Sequence, residues 1–103
     1  MSRITEIIKS EIDVWRSISY MELNSARDIN KEFSEEFSER IVENNKNLKN
    51  IEIKTYRGEE FVHTILHYNN KYYDAECPEG VNNIKDIPRI KRNKSDINQK
   101  IRV

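Results

Sequence analysis

The stretch Phe61-Val62-His63-Thr64-Ile65-Leu66-His67-Tyr68-Asn69-Asn70-Lys71-Tyr72-Tyr73-Asp74-Ala75 constrains this chain more than any other. A β-branched and aromatic run meets two adjacent asparagines, and an aromatic run then resumes. Asparagine tolerates the positive φ angles of a two-residue hairpin turn, so the segment is expected to fold back antiparallel about Asn69-Asn70. Such a turn sets Tyr68 opposite Lys71, His67 opposite Tyr72, Ile65 opposite Asp74 and His63 opposite Glu76. Alternation then collects His63, Ile65, His67, Tyr72, Asp74 and Glu76 on one face, with Val62, Thr64, Leu66, Tyr73 and Ala75 on the other.

The segments before the hairpin have a different period. Ile4, Ile7, Ile8, Ile12, Val14, Trp15 and Ile18 recur at three and four residues, which predicts an amphipathic helix from about Ser2 to Tyr20 with Ser2 as N-cap. Ile29, Phe33, Phe37 and Ile41 form a second stripe, in a helix starting at Ser25 or Asp28 and closed by Asn44-Asn45-Lys46-Asn47. After Asn50, Ile51, Ile53 and Thr55 alternate with Glu52, Lys54 and Tyr56 as a strand, and Arg57-Gly58-Glu59-Glu60 turns the chain. Pro78 and Gly80 are expected to close the sheet, with one short helical turn between Val81 and Pro88. The fold class is therefore α+β: two N-terminal helices packed on a small antiparallel sheet of three or slightly more strands. Trp15, Phe33, Phe37, Phe61 and Tyr73 fall at core-facing positions, whereas Tyr68 and Tyr72 either cover the sheet or line a groove.

A chain of 103 residues suits one domain, read as residues 1–88 followed by a basic extension over residues 89–103. Eighteen Lys and Arg balance eighteen Asp and Glu, but unevenly. Acids dominate Glu32 to Glu43, while Arg89, Lys91, Arg92, Lys94, Lys100 and Arg102 face only Asp96 near the C-terminus. Such a segment is either a solvated tail or a contact for an acidic partner or nucleic acid, through Arg89, Lys91, Arg92 and Lys94. The apolar stripe of the first helix is also a candidate dimer interface. No apolar run is long enough to span a bilayer and the N-terminus lacks a secretory signal, so a cytoplasmic protein is expected, in the host cytoplasm if viral. One cysteine and two histidines provide neither a disulfide framework nor a zinc site, and no cofactor or metal is expected.

Chemistry concentrates on the polar face of the hairpin. A carboxylate that accepts from one imidazole nitrogen fixes the tautomer and leaves the other nitrogen to act as general base. Asp74 is a diagonal neighbour of both His63 and His67. The two histidines lie roughly 13 Å apart along the strand, so at most one of them belongs to a site. The same alternation also suits a half-exposed strand with an ordinary surface pair.

The stretch His63-Thr64-Ile65-Leu66-His67-Tyr68-Asn69-Asn70-Lys71-Tyr72-Tyr73-Asp74-Ala75-Glu76-Cys77-Pro78-Glu79-Gly80-Val81 resembles the His-to-Asp hairpin of papain-like and transglutaminase-like cysteine hydrolases, in particular short members from phages, archaeal viruses and prokaryotes. The resemblance covers about a fifth of the chain. It implies His63 as base and Asp74 as orienting carboxylate, with the nucleophilic cysteine earlier, at the start of a helix. In Asn30-Lys31-Glu32-Phe33-Ser34-Glu35-Glu36-Phe37 the matching position is Asn30, whose amide has no ionisable nucleophilic atom. Ser25 near the same helix start, Lys31 in a shifted register and Cys77 on the sheet are the alternatives, and each suits an ordinary structural role better. The resemblance thus implies a catalytically inactive, protein-binding relative, with a groove between the Asn30 helix and the His63 strand lined by Ser25, Asn30, His63, His67, Tyr72 and Asp74. A viral or phage host-interaction protein unrelated to hydrolysis, or one binding nucleic acid through its basic segment, is the alternative.

Overall fold

The computed structural model describes residues 2–18, 25–58 and 61–92. Helix α1, Arg3–Arg16, starts where the Ser2 hydroxyl accepts the Thr5 N–H, with Glu6 in its first turn and Arg16 in its last. Its expected continuation to Tyr20 is cut short by a C-cap at Ser17, and residues 19–20 lie outside the described residues. Helix α2, Ala26–Asn44, starts at Ser25, where the hydroxyl accepts the Asp28 N–H and the Asp28 carboxylate accepts the Ser25 N–H. The helix kinks at Phe33, φ −131° and ψ 23°, and the Phe33 ring packs on Trp15 with centroids 5.2 Å apart.

The two stripes meet each other and one face of the sheet. Ile4, Ile8 and Trp15 of α1 pack with Ile29, Phe37 and Ile41 of α2 against Leu66, Tyr73 and Ala75. The α1 stripe proposed as a dimer interface is thus turned into the chain's own core, and Val14 is its exposed apolar residue. Glu11 is buried among these apolar groups because the Trp15 indole N–H and the Arg40 Nε–H both donate to its carboxylate, joining the helices.

Strands β1 (Glu52–Arg57), β2 (Val62–Tyr68), β3 (Lys71–Asp74) and β4 (Cys77–Val81) form an antiparallel meander in chain order. Next to the turn the hairpin register is the one read from the sequence, Tyr68 opposite Lys71 and His67 opposite Tyr72, but the ladder stops at Leu66 and Tyr73, so the expected pairs of Ile65 with Asp74 and His63 with Glu76 do not form; Asn69 and Asn70 hold φ of 50° and 64°. Pro78 and Gly80 do not close the sheet: they lie inside β4, an edge strand where proline is tolerated. Gly80 has φ +82°, and a Cβ there would come within 2.5 Å of the Tyr73 ring.

The His63 face of the sheet is also covered. A 3₁₀ turn, Ile84–Asp86, agrees with the expected short turn, and residues 88–92 form a further helical turn. Ile87 and Ile90 bury against Ile65, with Tyr56, Phe61, Tyr72, Cys77, Val81 and Ile84 around them. Residues 89–92, read as the start of a basic extension, therefore pack on the sheet, because Ile90 follows Ile87 at helical spacing and is 1% exposed. Residues 93–103, including Lys94, lie outside the described residues. No helix among the described residues is long and apolar enough to cross a membrane.

Both turn asparagines adopt left-handed backbone, which a β-branched residue resists. Asn70→Val should lower stability by about 1 kcal/mol or more, and Asn70→Gly should preserve or raise it, as read by urea denaturation.

Candidate functional site

The site begins where the central hairpin splits. The β2–β3 ladder ends at the pair Leu66 and Tyr73, and its next rung would join Thr64 to Ala75. Both freed N–H groups are taken by α2: Thr64 donates to Ser34 Oγ and Ala75 to Asn30 Oδ1, each at 3.3 Å. Asn30 and Ser34 stand four residues apart, one helical turn, so a single face of α2 caps the split.

His63 and Asp74 close the same parting. His63 Nε2 lies 2.8 Å from Asp74 Oδ2, and the two residues are 0% and 2% exposed. The other carboxylate oxygen, Oδ1, accepts the Glu76 N–H at 2.9 Å, an Asx turn that bends the chain from β3 toward β4. Arg89 approaches from the other side: its Nη1 is 3.1 Å from His63 Nδ1 and donates to the Asn30 carbonyl at 2.6 Å. A guanidinium has donors only, so Nδ1 must accept and the imidazole proton sits on Nε2, donating to Asp74. The guanidinium also lies over the Phe61 ring, 5.4 Å from its centroid.

A second ion pair completes the cluster. Arg92 donates both terminal nitrogens to the Glu76 carboxylate, and the Asn30 amide donates to the same group at 3.3 Å. Asp74 and Glu76 thereby match Arg89 and Arg92, two charges of each sign. Burial pushes the Glu76 carboxyl upward, but the Arg92 fork, the Asn30 amide and Arg27 together outweigh it and leave it below its ordinary value of 4.5. Burial, and then the neighbouring Arg92 cation, lower the Arg89 pKa, against the pull of Asp74 and Glu76.

The expected residues thus divide. His63, Asp74 and Asn30 come together, as the hairpin register and the helix alignment imply, but Asn30 is 1% exposed and Arg89 fills the interval where a groove was expected. Ser25 is the exposed α2 N-cap, engaged with Asp28. His67 stacks on Tyr72 nearer the hairpin turn, centroids 4.6 Å apart, with Glu52 3.9 Å from its Nδ1. Lys31 is exposed. Cys77 packs beside the Ile65 cluster, and burial, reinforced by Asp74, raises its thiol pKa, which keeps it protonated. Sequence reasoning missed Ser34, and it read Arg89 and Arg92 as part of a basic extension, either a solvated tail or a contact for an acidic partner or nucleic acid, whereas both are half-buried and paired within the chain. The available signal was the spacing of Ile87 and Ile90, which turns Arg89 toward the sheet. Among the described residues no cluster of His, Cys, Asp and Glu is arranged to hold a metal ion. The chain matches no protein-family model, no curated protein and no solved structure.

Asp74→Ala strands the His63 N–H and removes the carboxylate that offsets Arg89, and should cost about 3–5 kcal/mol; Arg89→Ala should cost about 2–3 kcal/mol. Because the two share His63, the double variant should lose at least about 1 kcal/mol less than the sum of the single losses in denaturant titrations. The Glu76 carboxyl titrates lower folded than unfolded, so its contribution is complete above its ordinary value and fades as pH falls through the folded value. Glu76→Gln should therefore reduce stability at neutral pH and flatten the acid limb of the stability profile. An acid limb unchanged by the substitution would contradict this.

Proposed function

We propose that this chain is a catalytically inactive relative of the papain-like and transglutaminase-like cysteine hydrolases that acts as a protein-binding module. The observation that carries the reading is His63, an imidazole with both nitrogens engaged and no exposed surface. A general base needs one free nitrogen directed at a nucleophile. Here that nitrogen faces Arg89, which can only donate. The same Arg89 nitrogen reaches the carbonyl of Asn30, so the residue aligned with the missing cysteine lies one guanidinium away from the base position. The Asn30 side chain itself is committed to Ala75 and Glu76.

With the His63 interior closed, recognition falls to the outer surface. Val14, Ile53 and Val62 are large exposed apolar residues, and Ile53 belongs to the edge strand β1. Glu32, Glu35, Glu36, Glu39 and Glu43 form an exposed acidic side of α2, a feature that equally suits a host-interaction protein of viral or phage origin. Nucleic-acid binding is less well supported, because Arg89 and Arg92 are engaged inside the chain while Lys91 is exposed.

Purified protein should hydrolyse neither peptide nor isopeptide substrates above the uncatalysed rate, and Arg89→Ala should not restore turnover. Turnover in the unmodified protein that disappears in His63→Ala would overturn the proposal.

A further inference from the structure

The two edges of the sheet differ. β4 carries Pro78, which has no N–H to offer, and Gly80 in left-handed backbone, so its outer side is a poor template for a further strand. β1 contains neither residue type, and among the described residues its outer side has no backbone partner. On this strand Ile53 is left 40% exposed, between the exposed Glu52 and Lys54.

The turn chemistry decides which backbone groups of β1 are open. In a two-residue hairpin Tyr68 and Lys71 exchange both hydrogen bonds, and alternation then turns the backbone of His67, Ile65 and His63 toward β1. Their partners Glu52, Lys54 and Tyr56 therefore bond inward, in phase with the Gly58 N–H, which donates to the Phe61 carbonyl at 2.9 Å. Ile53, Thr55 and Arg57 direct their N–H and C=O groups out of the sheet edge.

Backbone alone accepts any strand; the side chains select one. Two copies joined edge to edge by a two-fold axis normal to the sheet run antiparallel with opposed residues on the same face, so the axis passes through a residue. With the axis at Ile53, Glu52 of each copy stands opposite Lys54 of the other on the His63 face, and the two Ile53 side chains meet on the helix-covered face. An axis at Lys54 opposes the two ammoniums, and an axis at Thr55 leaves Glu52 opposite Gly58.

We propose that the partner of β1 is a second copy of this chain, bound edge to edge about Ile53 so that two four-stranded sheets become one. Lysine on an edge strand ordinarily discourages a further strand. Here Lys54 lies two positions from Glu52, so the segment Glu52-Ile53-Lys54 is complementary to itself when reversed. The pairing is independent of any hydrolase ancestry, and it places self-association on β1 instead of the α1 stripe, which is buried in the core.

Sedimentation equilibrium of the whole protein from about 5 μM to about 1 mM should show a reversible monomer–dimer equilibrium, with a dissociation constant on the order of 100 μM. Glu52→Lys brings two pairs of ammoniums together across the interface and Lys54→Glu two pairs of carboxylates, so each should weaken the dimer about tenfold or more. An equimolar mixture of the two variants should associate again, because each then meets its complement, and the double variant Glu52→Lys/Lys54→Glu should regain the original affinity. Both positions are exposed, and unchanged circular dichroism verifies the fold. Protein that stays monomeric throughout, a dimer indifferent to both reversals, or losses that neither the mixture nor the double variant repairs would overturn the assignment.

Discussion

The folded core depends on one buried contact chain, Asp74 to His63 to Arg89 to Asn30. It exists because β2 and β3 part after Leu66 and Tyr73, which leaves backbone donors and a neutral imidazole buried. Each buried polar group must then find a partner or cost on the order of 1–3 kcal/mol. Asn30 and Ser34 take the backbone donors from one side, and Asp74 and Arg89 take the two imidazole nitrogens. The result joins α2, the central hairpin and the segment after β4 through directional bonds, in a protein whose apolar content is modest.

Directional bonds of this kind locate elements more strictly than apolar burial does. Ile65, Ile87 and Ile90 could pack in several arrangements of the last segment, since hydrophobic contact is tolerant of small slides. The Arg89 guanidinium is less tolerant, because its Nη1 must meet His63 Nδ1 and the Asn30 carbonyl together. Glu76 and Arg92 repeat the arrangement one helical turn further along, and the balance of two carboxylates with two guanidiniums limits the cost of bringing charge inside. The Glu11, Trp15 and Arg40 contacts do the same between the two helices.

This geometry changes what a His/Asp pair means. In a hydrolase the pair has value because the far nitrogen of the imidazole is open to a nucleophile. In this chain an arginine occupies that direction, and Asn30 of α2 holds the backbone of Ala75. The pair here is structural: Asp74 and Arg89 hold the two imidazole nitrogens of a buried His63.

Much of this was legible in the residues alone. The two helical stripes, the Ser2 cap, the Asn69-Asn70 turn, the hairpin register next to that turn and the closeness of His63 to Asp74 all rest on local periodicity and turn chemistry, which act over a few residues. What the sequence could not reveal was the fate of its C-terminal cations and of its fourth strand. Arg89 and Arg92 look like solvated charges because their partners lie 26 and 16 positions away, and Pro78 with Gly80 looks like a sheet end because edge position is not a local property. By itself, then, the sequence determined the elements and which side chains share a face. Only the tertiary structure decided that the His63 face would be roofed by residues 84–92, because that outcome depends on burial summed over contacts between segments distant in the chain.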